Sequence, residues 1–306
     1  MCIETTSAPV VKARSRTLAP REAGLERKER IFTMKKTIAS GLVAITVLSS
    51  ALAFSAAASG PTGGVPISID GAAPTQSITS FIQNGTTWVS IRDFANAMGT
   101  CTVIWTPYTA TVMAPGLTIY ATAGEQYIIA NGRYLFVPDG CQLVGGSMMV
   151  PIRVLAKAYD ATVSWDEASK TVLVTSGSGA IAPGSVFYND NDVYWLSRII
   201  HAEARGESLA GKIAVANVVL NRVVSPMYPS TIRDVIFDRA HGIQFTPAYT
   251  GAIYNTPGEE SVIAAKIALD GGNTAGKSLF FASTAKCWAA KARPFEITIG
   301  NHYFYA

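Results

Sequence analysis

The sequence has few residues with which to bind a metal or form disulfides. Its 306 residues include four cysteines and three histidines. No CxxC pair occurs, and no histidine stands in an HxxxH or HxxE spacing. Residues 59–200 contain no histidine, which excludes an imidazole metal site from that part of the chain. We therefore expect no metal and no cofactor.

Charge is also scarce, at 15% of residues, whereas 49% are hydrophobic. This composition is typical of a chain that buries cores, and the length suffices for two domains. The formal charge of +4 is misleading, because residues 1–58 hold 9 of the 25 basic and 4 of the 21 acidic residues. The remainder has 16 basic and 17 acidic residues and no basic–aromatic stripe, so we expect no nucleic-acid partner.

The second part of this basic segment, residues 34–58, has the order of a signal peptide. "MKKTIASGLVAITVLSSALAFSAAASG" starts at Met34, with two lysines, an apolar run over 38–54 and small residues after it. This order predicts a signal peptide over 34–58, preceded by a mis-called start or disordered segment over 1–33. An uncleaved anchor is the alternative, although 17 apolar residues are short for a membrane span. After cleavage we expect no stable membrane span.

Residues 65–175 read as short strands, rich in Val, Ile, Thr, Tyr and Trp and broken by Gly, Asn, Asp and Pro. "IANGRY" carries an Asn-Gly hairpin signal between two of them. Cys101 and Cys141 fall in this region. They form either a disulfide or two unpaired thiols, and spacing does not decide between these alternatives.

This region contains an internal repeat. "WVSIRDFANAMGTCTVIW" at 88–105 matches "MVPIRVLAKAYDATVSW" at 149–165, each copy reading as a strand, a short helix led by Arg and a strand ending in Trp. With "DATVSWDEASKTV", the region resembles the stalk-type N-terminal domain named after copper amine oxidases. The resemblance implies a spacer or wall-binding module, which is α+β and mostly β, and does not imply copper.

"SGSGAIAPGS" is typical of a linker, which we place over 176–188 ahead of a second domain over 189–306. The second domain opens with a helix that Asp190 or Asp192 can cap. Its apolar residues repeat at helical spacing through 196, 199 and 200, and the next position on that stripe is Glu203. Gly206 follows as the expected C′ residue.

Glu203 is thus predicted on the buried side of the last helical turn. Burial and the negative end of the helix dipole both raise a carboxyl pKa, and a carboxylic acid that keeps its proton can act as a general acid. The alternative is a structural glutamate that reaches solvent or pairs with Arg198 or Arg205.

"LSRIIHAEARGESLAGKIAVANVVLNRV", "IQFTP", "GKSLFFASTAKCW" and "ITIGNHYFY" together resemble the catalytic domain of the SleB/CwlJ family of cell-wall hydrolases. The resemblance implies a mainly α, lysozyme-like domain that cleaves peptidoglycan glycan strands by lytic transglycosylation, with Glu203 as its single catalytic residue. It also implies secretion to the cell wall, spore cortex or inner spore membrane surface of a Gram-positive bacterium, where wall or spore-coat proteins are further possible partners.

Five further residues are candidates for substrate binding. Gln244 is suited to bonding acetamido or hydroxyl groups, and Phe281 and Trp288 to stacking on sugar rings, although each also suits a loop or core. Asn217 either supports the cleft or bonds a neighbouring backbone group. His302 matches the family without a defined role. The family often has a tyrosine pair where this sequence has "LFF", so a hydroxyl expected near Glu203 is absent or supplied elsewhere.

Other activities stay open at this point. An N-acetylmuramoyl-L-alanine amidase is one alternative, but zinc amidases need a ligand cluster; a cysteine nucleophile would have to be built on Cys287 and His302. A non-catalytic wall-binding protein is another. A second essential carboxylate would have to come from Glu207, Asp234 or Asp238.

Overall fold

The computed structural model describes residues 64–240 and 242–306. The mis-called start or disordered segment expected over 1–33 and the signal peptide expected over 34–58 lie outside these residues. Within the described part, a β-rich domain is followed by a mainly helical one, the order that the sequence predicts. No helix of this part is long and apolar enough to cross a membrane.

The N-terminal domain consists of short strands and two short helices. Along the chain these are β1 (Ile67–Ile69), β2 (Ser80–Gln83), β3 (Thr86–Ser90), α1 (Ile91–Met98), β4 (Thr102–Thr106), β5 (Thr109–Ala114), β6 (Leu117–Thr122), β7 (Tyr127–Ala130), β8 (Arg133–Phe136), β9 (Gln142–Val144), β10 (Ser147–Pro151), α2 (Ile152–Ala158), β11 (Thr162–Asp166) and β12 (Thr171–Thr175).

Three sheets surround the core of this domain. One has the order β1-β12-β11, with β1 parallel to β12 and β11 antiparallel to it. The second has the order β2-β3-β10-β9, and the third is an antiparallel meander from β4 to β8. Trp88, Phe94 and Leu155, which lie on β3, α1 and α2, are fully buried between them. The core is therefore shared by both copies of the repeat.

The repeat forms two equivalent strand–helix–strand units that meet at their first strands. β3 and β10 pair antiparallel, with Val150 opposite Val89. Each strand runs directly into a helix, α1 or α2, and each helix is followed by a strand, β4 or β11, that carries the matching Trp105 or Trp165. The sequence repeat is thus a structural repeat.

Asn131 and Gly132 form the turn between β7 and β8. Both have positive φ, at 49° and 79°, as a two-residue hairpin turn requires. The cysteines of this domain are unpaired: the thiol of Cys101 donates to Asn96 Oδ1 and that of Cys141 to Tyr127 O. Of the two alternatives for these cysteines, the structure therefore has the free thiols.

The segment predicted as a linker is packed against the N-terminal domain. Ser176 N donates to Asp70 Oδ1 at 2.9 Å, and Ile181 N donates to Ala158 O at 2.9 Å. A Cβ on Gly184 would lie 2.5 Å from Gly132 O, so only glycine allows this approach. The helix α3 (Gly184–Phe187) follows. The Gly/Ser composition therefore serves close packing here, not a free tether.

The C-terminal domain is mainly helical, with one small sheet. Its elements are α4 (Asp190–Ala204), α5 (Leu209–Val224), α6 (Ile232–Ile236), α7 (Pro247–Thr250), a 3-10 turn (Ala252–Tyr254), α8 (Glu259–Leu269), β13 (Phe280–Ala282), α9 (Trp288–Ala292), β14 (Phe295–Ile299) and β15 (His302–Tyr305). The sheet has the order β13-β15-β14 and is antiparallel.

The helices α4, α5 and α8 form the core of this domain. Asn189 caps α4, because its Oδ1 accepts from the backbone N–H groups two and three residues on; the prediction of Asp190 or Asp192 as the cap was wrong. Ser208 caps α5 as expected for a helix N-terminus. Isoleucines at 199 and 213 are fully buried where α4 meets α5.

The two domains are joined by polar contacts around Asp270, which follows α8. Its carboxylate accepts from Arg133 on β8 and from the hydroxyl of Tyr188. Lys157 Nζ lies 3.4 Å from Asp270 Oδ1. The guanidinium of Arg133 lies 3.4 Å from the ring centroid of Phe187. These contacts connect both domains and the segment between them.

Candidate active site

Glu203 lies in the last turn of α4, as predicted. The preceding residues of its stripe, Leu196, Ile199 and Ile200, are fully buried, while Glu203 itself is half-buried. α4 ends at Ala204, so its dipole places negative charge close to this carboxyl. Gly206 stands in the C′ position, but its φ lies outside the left-handed region.

Burial raises the pKa of Glu203 above its ordinary value of 4.5. Neither alternative partner neutralises it: the Arg198 guanidinium lies 3.8 Å from the ring centroid of Tyr194, and Arg205 is exposed. Among the described residues, none forms an ion pair or hydrogen bond with the Glu203 carboxyl. The acid form is therefore favoured, and its proton is available to a ligand.

Glu203 borders a cavity of about 660 Å³, a size suited to sugar residues. The cavity lies between the end of α4, the loop before α7 and the sheet β13-β15-β14. Its described lining residues are Glu203, Arg222, Gln244, Thr246, Pro247, Thr250, Phe280, Phe281, Ala282, Ser283, Cys287, Trp288, Ala289 and His302. Among them Glu203 is the only acid.

The structure brings four of the five other candidate residues to this cavity. Gln244, Phe281, Trp288 and His302 all line it, although they come from a loop, strand β13, the start of helix α9 and strand β15. Asn217 does not. Its Nδ2 donates to Gly272 O at 2.8 Å and its Oδ1 accepts from Thr274 N at 2.9 Å. Both ends of its amide are thus used to hold a loop, and we assign it no contact with substrate.

Two aromatic residues form different parts of the wall. Phe281 packs into the core beneath the cavity, with its ring centroid 5.2 Å from that of His302 and 6.0 Å from that of Phe304. Trp288 stands at the rim and is 63% exposed, in edge contact with Phe280 at 5.7 Å. An exposed indole beside a cavity offers a face for stacking on a sugar ring.

Arg222 also lines the cavity, and its side chain is tied to the surrounding backbone and side chains. Its Nε donates to Leu279 O at 2.8 Å and its Nη2 donates to Gln244 Oε1 at 3.2 Å. The side chain is buried, and burial lowers the pKa of its guanidinium. The arginine therefore fixes Gln244 and the start of β13 on the cavity wall, a role that only the folded geometry reveals.

The cavity continues beyond Trp288. A neighbouring cavity of about 320 Å³ shares Gln244, Phe280 and Trp288 with it and adds Met227 and Arg293. The Arg293 guanidinium lies 5.9 Å from the Trp288 ring centroid. The two cavities therefore adjoin each other at Gln244, Phe280 and Trp288.

The other carboxylates weighed as a second catalytic acid do not line this cavity. Glu207 accepts from Asn301 N at 3.1 Å and from Asn301 Nδ2 at 2.9 Å, and these bonds lower its pKa. Asp238 caps the following turn, since its Oδ1 accepts from Ala240 N, and Asp234 pairs with Arg233 on the surface. Each of the three therefore has a structural role.

Cys287 and His302, the pair required for a cysteine nucleophile, do line the same cavity. The thiol of Cys287, however, interacts with the hydroxyl of Tyr305. Among the described residues no hydrogen bond joins Cys287 to His302, and His302 Nδ1 is buried without a partner. The pair shares a wall without forming the contact that activates a thiol.

No group of three or more His, Cys, Asp or Glu side chains in the described part of the chain is placed to hold a metal ion. His201 lies away from the cavity, where its Nδ1 accepts from Gly258 N at 3.3 Å. The chemistry available at this site is therefore that of one carboxyl with a raised pKa among aromatic, amide and hydroxyl groups.

Two parts of the chain match known families. Residues 206–305 match the family described as Cell Wall Hydrolase, and residues 68–174 match the copper amine oxidase N-terminal domain. The first match begins just after Glu203.

Curated relatives are similar to the C-terminal half. The spore cortex-lytic enzyme of Halalkalibacterium halodurans is 37% identical over 119 residues, which is 38% of this chain and 35% of that protein. That of Bacillus cereus is 38% identical over 120 residues, or 38% of this chain and 45% of that protein. The chain thus spans less than half the length of these relatives.

Two solved structures are also similar. One is the catalytic domain of the germination-specific lytic transglycosylase SleB from Bacillus anthracis, at 36% identity, a TM-score of 0.36 and coverage of 41% of this chain and 100% of that one. The other is the catalytic domain of Bacillus cereus SleB, at 36% identity, a TM-score of 0.36 and coverage of 39% and 92%.

Proposed function

Since the chain belongs, through residues 206–305, to the cell wall hydrolase family, we propose that it is an exported enzyme that cleaves the glycan strands of peptidoglycan by lytic transglycosylation. The bond is that between N-acetylmuramic acid and N-acetylglucosamine, and Glu203 is the acid and the base. The substrate is spore cortex, cleaved during germination, or vegetative wall.

The observation that carries this proposal is that Glu203 is the only acidic residue among the described residues that line the cleft. Glycoside hydrolysis with water ordinarily uses two carboxyls, roughly 5–5.5 Å apart for retention and roughly 6.5–9.5 Å apart for inversion. A reaction with an internal nucleophile needs only one. The residue inventory of the cleft therefore favours transglycosylation over hydrolysis.

The reaction balances with this one residue. Protonated Glu203 donates its proton to the glycosidic oxygen as the bond from that oxygen to the muramyl anomeric carbon breaks. The resulting carboxylate then takes the proton of the muramyl C6 hydroxyl, whose oxygen bonds to the anomeric carbon. The products are a 1,6-anhydromuramyl end and a free N-acetylglucosamine hydroxyl, and Glu203 is again protonated.

Burial of Glu203 supports the first step, because a raised pKa keeps the acid form populated closer to neutral pH. The second step benefits from proximity, because the C6 hydroxyl is part of the substrate and no water has to be captured. We expect Trp288 and Phe281, which line the cavity, to contact sugar faces, and Gln244, which bonds to Arg222, to bond acetamido or hydroxyl groups.

An amidase that uses Cys287 is the second candidate, because Cys287 and His302 share this cavity. The two functions give different products from purified peptidoglycan when these are analysed by mass spectrometry. Anhydromuramic ends support our proposal, whereas reducing ends indicate hydrolysis and released stem peptides an amidase. Cys287→Ser should retain turnover. If Cys287→Ser loses turnover and the parent chain releases stem peptides, the amidase is favoured.

A further inference from the structure

The N-terminal domain contains a second cavity, separate from the Glu203 cleft. It has a volume of about 460 Å³, within the range of small-ligand sites. It lies between the β2–β3 hairpin, the start of α2 and the β11–β12 hairpin. The proposed transglycosylation does not use this cavity, so the kind of ligand it would bind is inferred from its lining residues.

Two tryptophans define the cavity. Trp165 on β11 lines the cavity and is 40% exposed. Its Nε1 donates to Glu167 Oε2 at 2.6 Å, so the ring is fixed by its edge while a face stays open. Trp88 forms the floor, stacked on Phe81 at 6.1 Å, and its buried indole N–H has no partner among the described residues.

The cavity also has one charge of each sign. Arg153 and Asp139 line it, and neither forms an ion pair with any residue in the described part of the chain. Arg153 Nη1 donates to Val163 O at 2.7 Å, which holds the guanidinium against the wall and leaves its other N–H groups for a ligand. The cavity thus offers donors and acceptors with no net charge.

The internal repeat shows that this arrangement is specific to the second copy. In the first copy the guanidinium of Arg92 lies 5.9 Å from the ring centroid of Trp105 and covers it. In the second copy Arg153 bonds instead to the backbone of Val163, and Trp165 is held by Glu167. The matching arginine and tryptophan of the second copy thus have different partners and both line the cavity.

We propose that this cavity binds a glycan strand of N-acetylated hexosamines, with one sugar face on Trp165. An aromatic face suits the apolar face of a pyranose ring, Arg153 can donate to its hydroxyl or carbonyl oxygens, and Asp139 can accept from its hydroxyl groups. A polyanion is disfavoured because Asp139 balances Arg153. The proposal goes beyond the reaction of the C-terminal domain, since it assigns wall binding to the other domain.

The test is co-sedimentation of the chain from residue 59 onward with purified, insoluble peptidoglycan, in the Glu203→Gln background so that the wall is not degraded. Trp165→Ala should raise the apparent Kd roughly tenfold, the loss expected for one aromatic contact. Trp105→Ala, the equivalent change in the first copy, is the matched control and should raise it less than twofold. Thermal unfolding establishes that each variant is folded.

Two further measurements keep the outcome decisive. Trp165→Phe retains a stacking face and should restore most of the affinity lost in Trp165→Ala. Glycan strands freed of stem peptides should bind as intact wall does. The proposal is wrong if Trp165→Ala binds like its parent, if Trp105→Ala weakens binding equally, or if binding requires the stem peptides. Binding is measured without turnover. A negative binding result therefore does not contradict the proposed reaction, and a negative turnover result does not contradict the proposed binding site.

Discussion

Arg133 Nε donates to both carboxylate oxygens of Asp270, at 3.0 and 3.3 Å, across 137 residues of chain. The two side chains are 9% and 1% exposed, and they join β8 of one domain to the end of α8 in the other. Removing one partner of such a pair leaves a buried charge uncompensated.

Asp270→Ala should therefore lower the free energy of unfolding by about 3–5 kcal/mol. Because Asp270 joins the domains, we also expect one cooperative urea transition to separate into two. Glu167→Gln, which breaks the exposed pair with Lys170, is the control and should leave the urea midpoint nearly unchanged, because an exposed ion pair contributes little to stability. An unchanged urea midpoint for Asp270→Ala would show that the contact does not couple the domains.

Glu203→Gln should raise the thermal midpoint at neutral pH. The folded pKa of Glu203 lies above its ordinary value of 4.5, so stability falls as pH rises from 4.5 to the folded pKa, and the cost of ionisation is complete above the folded pKa. The amide carries no such cost. The gain should disappear below pH 4.5, where folded and unfolded chains both hold the proton. A gain that is equal at both pH values would contradict burial as its cause.

Glu207→Ala should destabilise the protein only slightly at pH 7, by less than about 1 kcal/mol, because the two hydrogen bonds from Asn301 that it removes are exposed to solvent. The bonds lower the pKa of Glu207, so the contribution is full above its ordinary value and is lost as pH falls through the lowered one. Urea unfolding at two pH values measures this. Folded Glu207→Ala should still form anhydromuramic products; total loss of turnover would identify a second catalytic carboxylate.

Trp288→Ala should raise KM for soluble glycan fragments roughly tenfold with little change in stability, because its side chain is 63% exposed. Trp288→Phe keeps an aromatic face, so its KM should lie between that of Trp288→Ala and that of the parent. Phe281→Ala, by contrast, removes a ring packed on Phe304 and should cost about 3–5 kcal/mol of stability. An unchanged KM for Trp288→Ala would remove this residue from the substrate site.

Local spacing was sufficient to predict where Glu203 lies on its helix. The stripe through Leu196, Ile199 and Ile200 makes one face of α4, so the position of Glu203 follows from 3.6 residues per turn. The Asn131-Gly132 hairpin and the strand–helix–strand repeat are equally local. Such features depend on residues close in sequence, which is why pattern alone finds them.

The remaining features depend on contacts between distant residues. Arg222 is part of the cavity wall because it bonds Leu279, 57 residues away, and Gln244. Asn217 is excluded from the wall because a loop 55 residues away uses its amide. The small residues over 176–188 predict a linker. Small residues also allow close packing, as at Gly184. No local pattern distinguishes these outcomes.

The measurement that tests the account most directly is the product analysis of wild-type chain and Glu203→Gln on purified peptidoglycan. The account predicts 1,6-anhydromuramic ends from the wild type and a rate about 10²–10⁴-fold lower for a Glu203→Gln protein that still unfolds cooperatively. Reducing ends from the wild type, or near-normal turnover by Glu203→Gln, would contradict it.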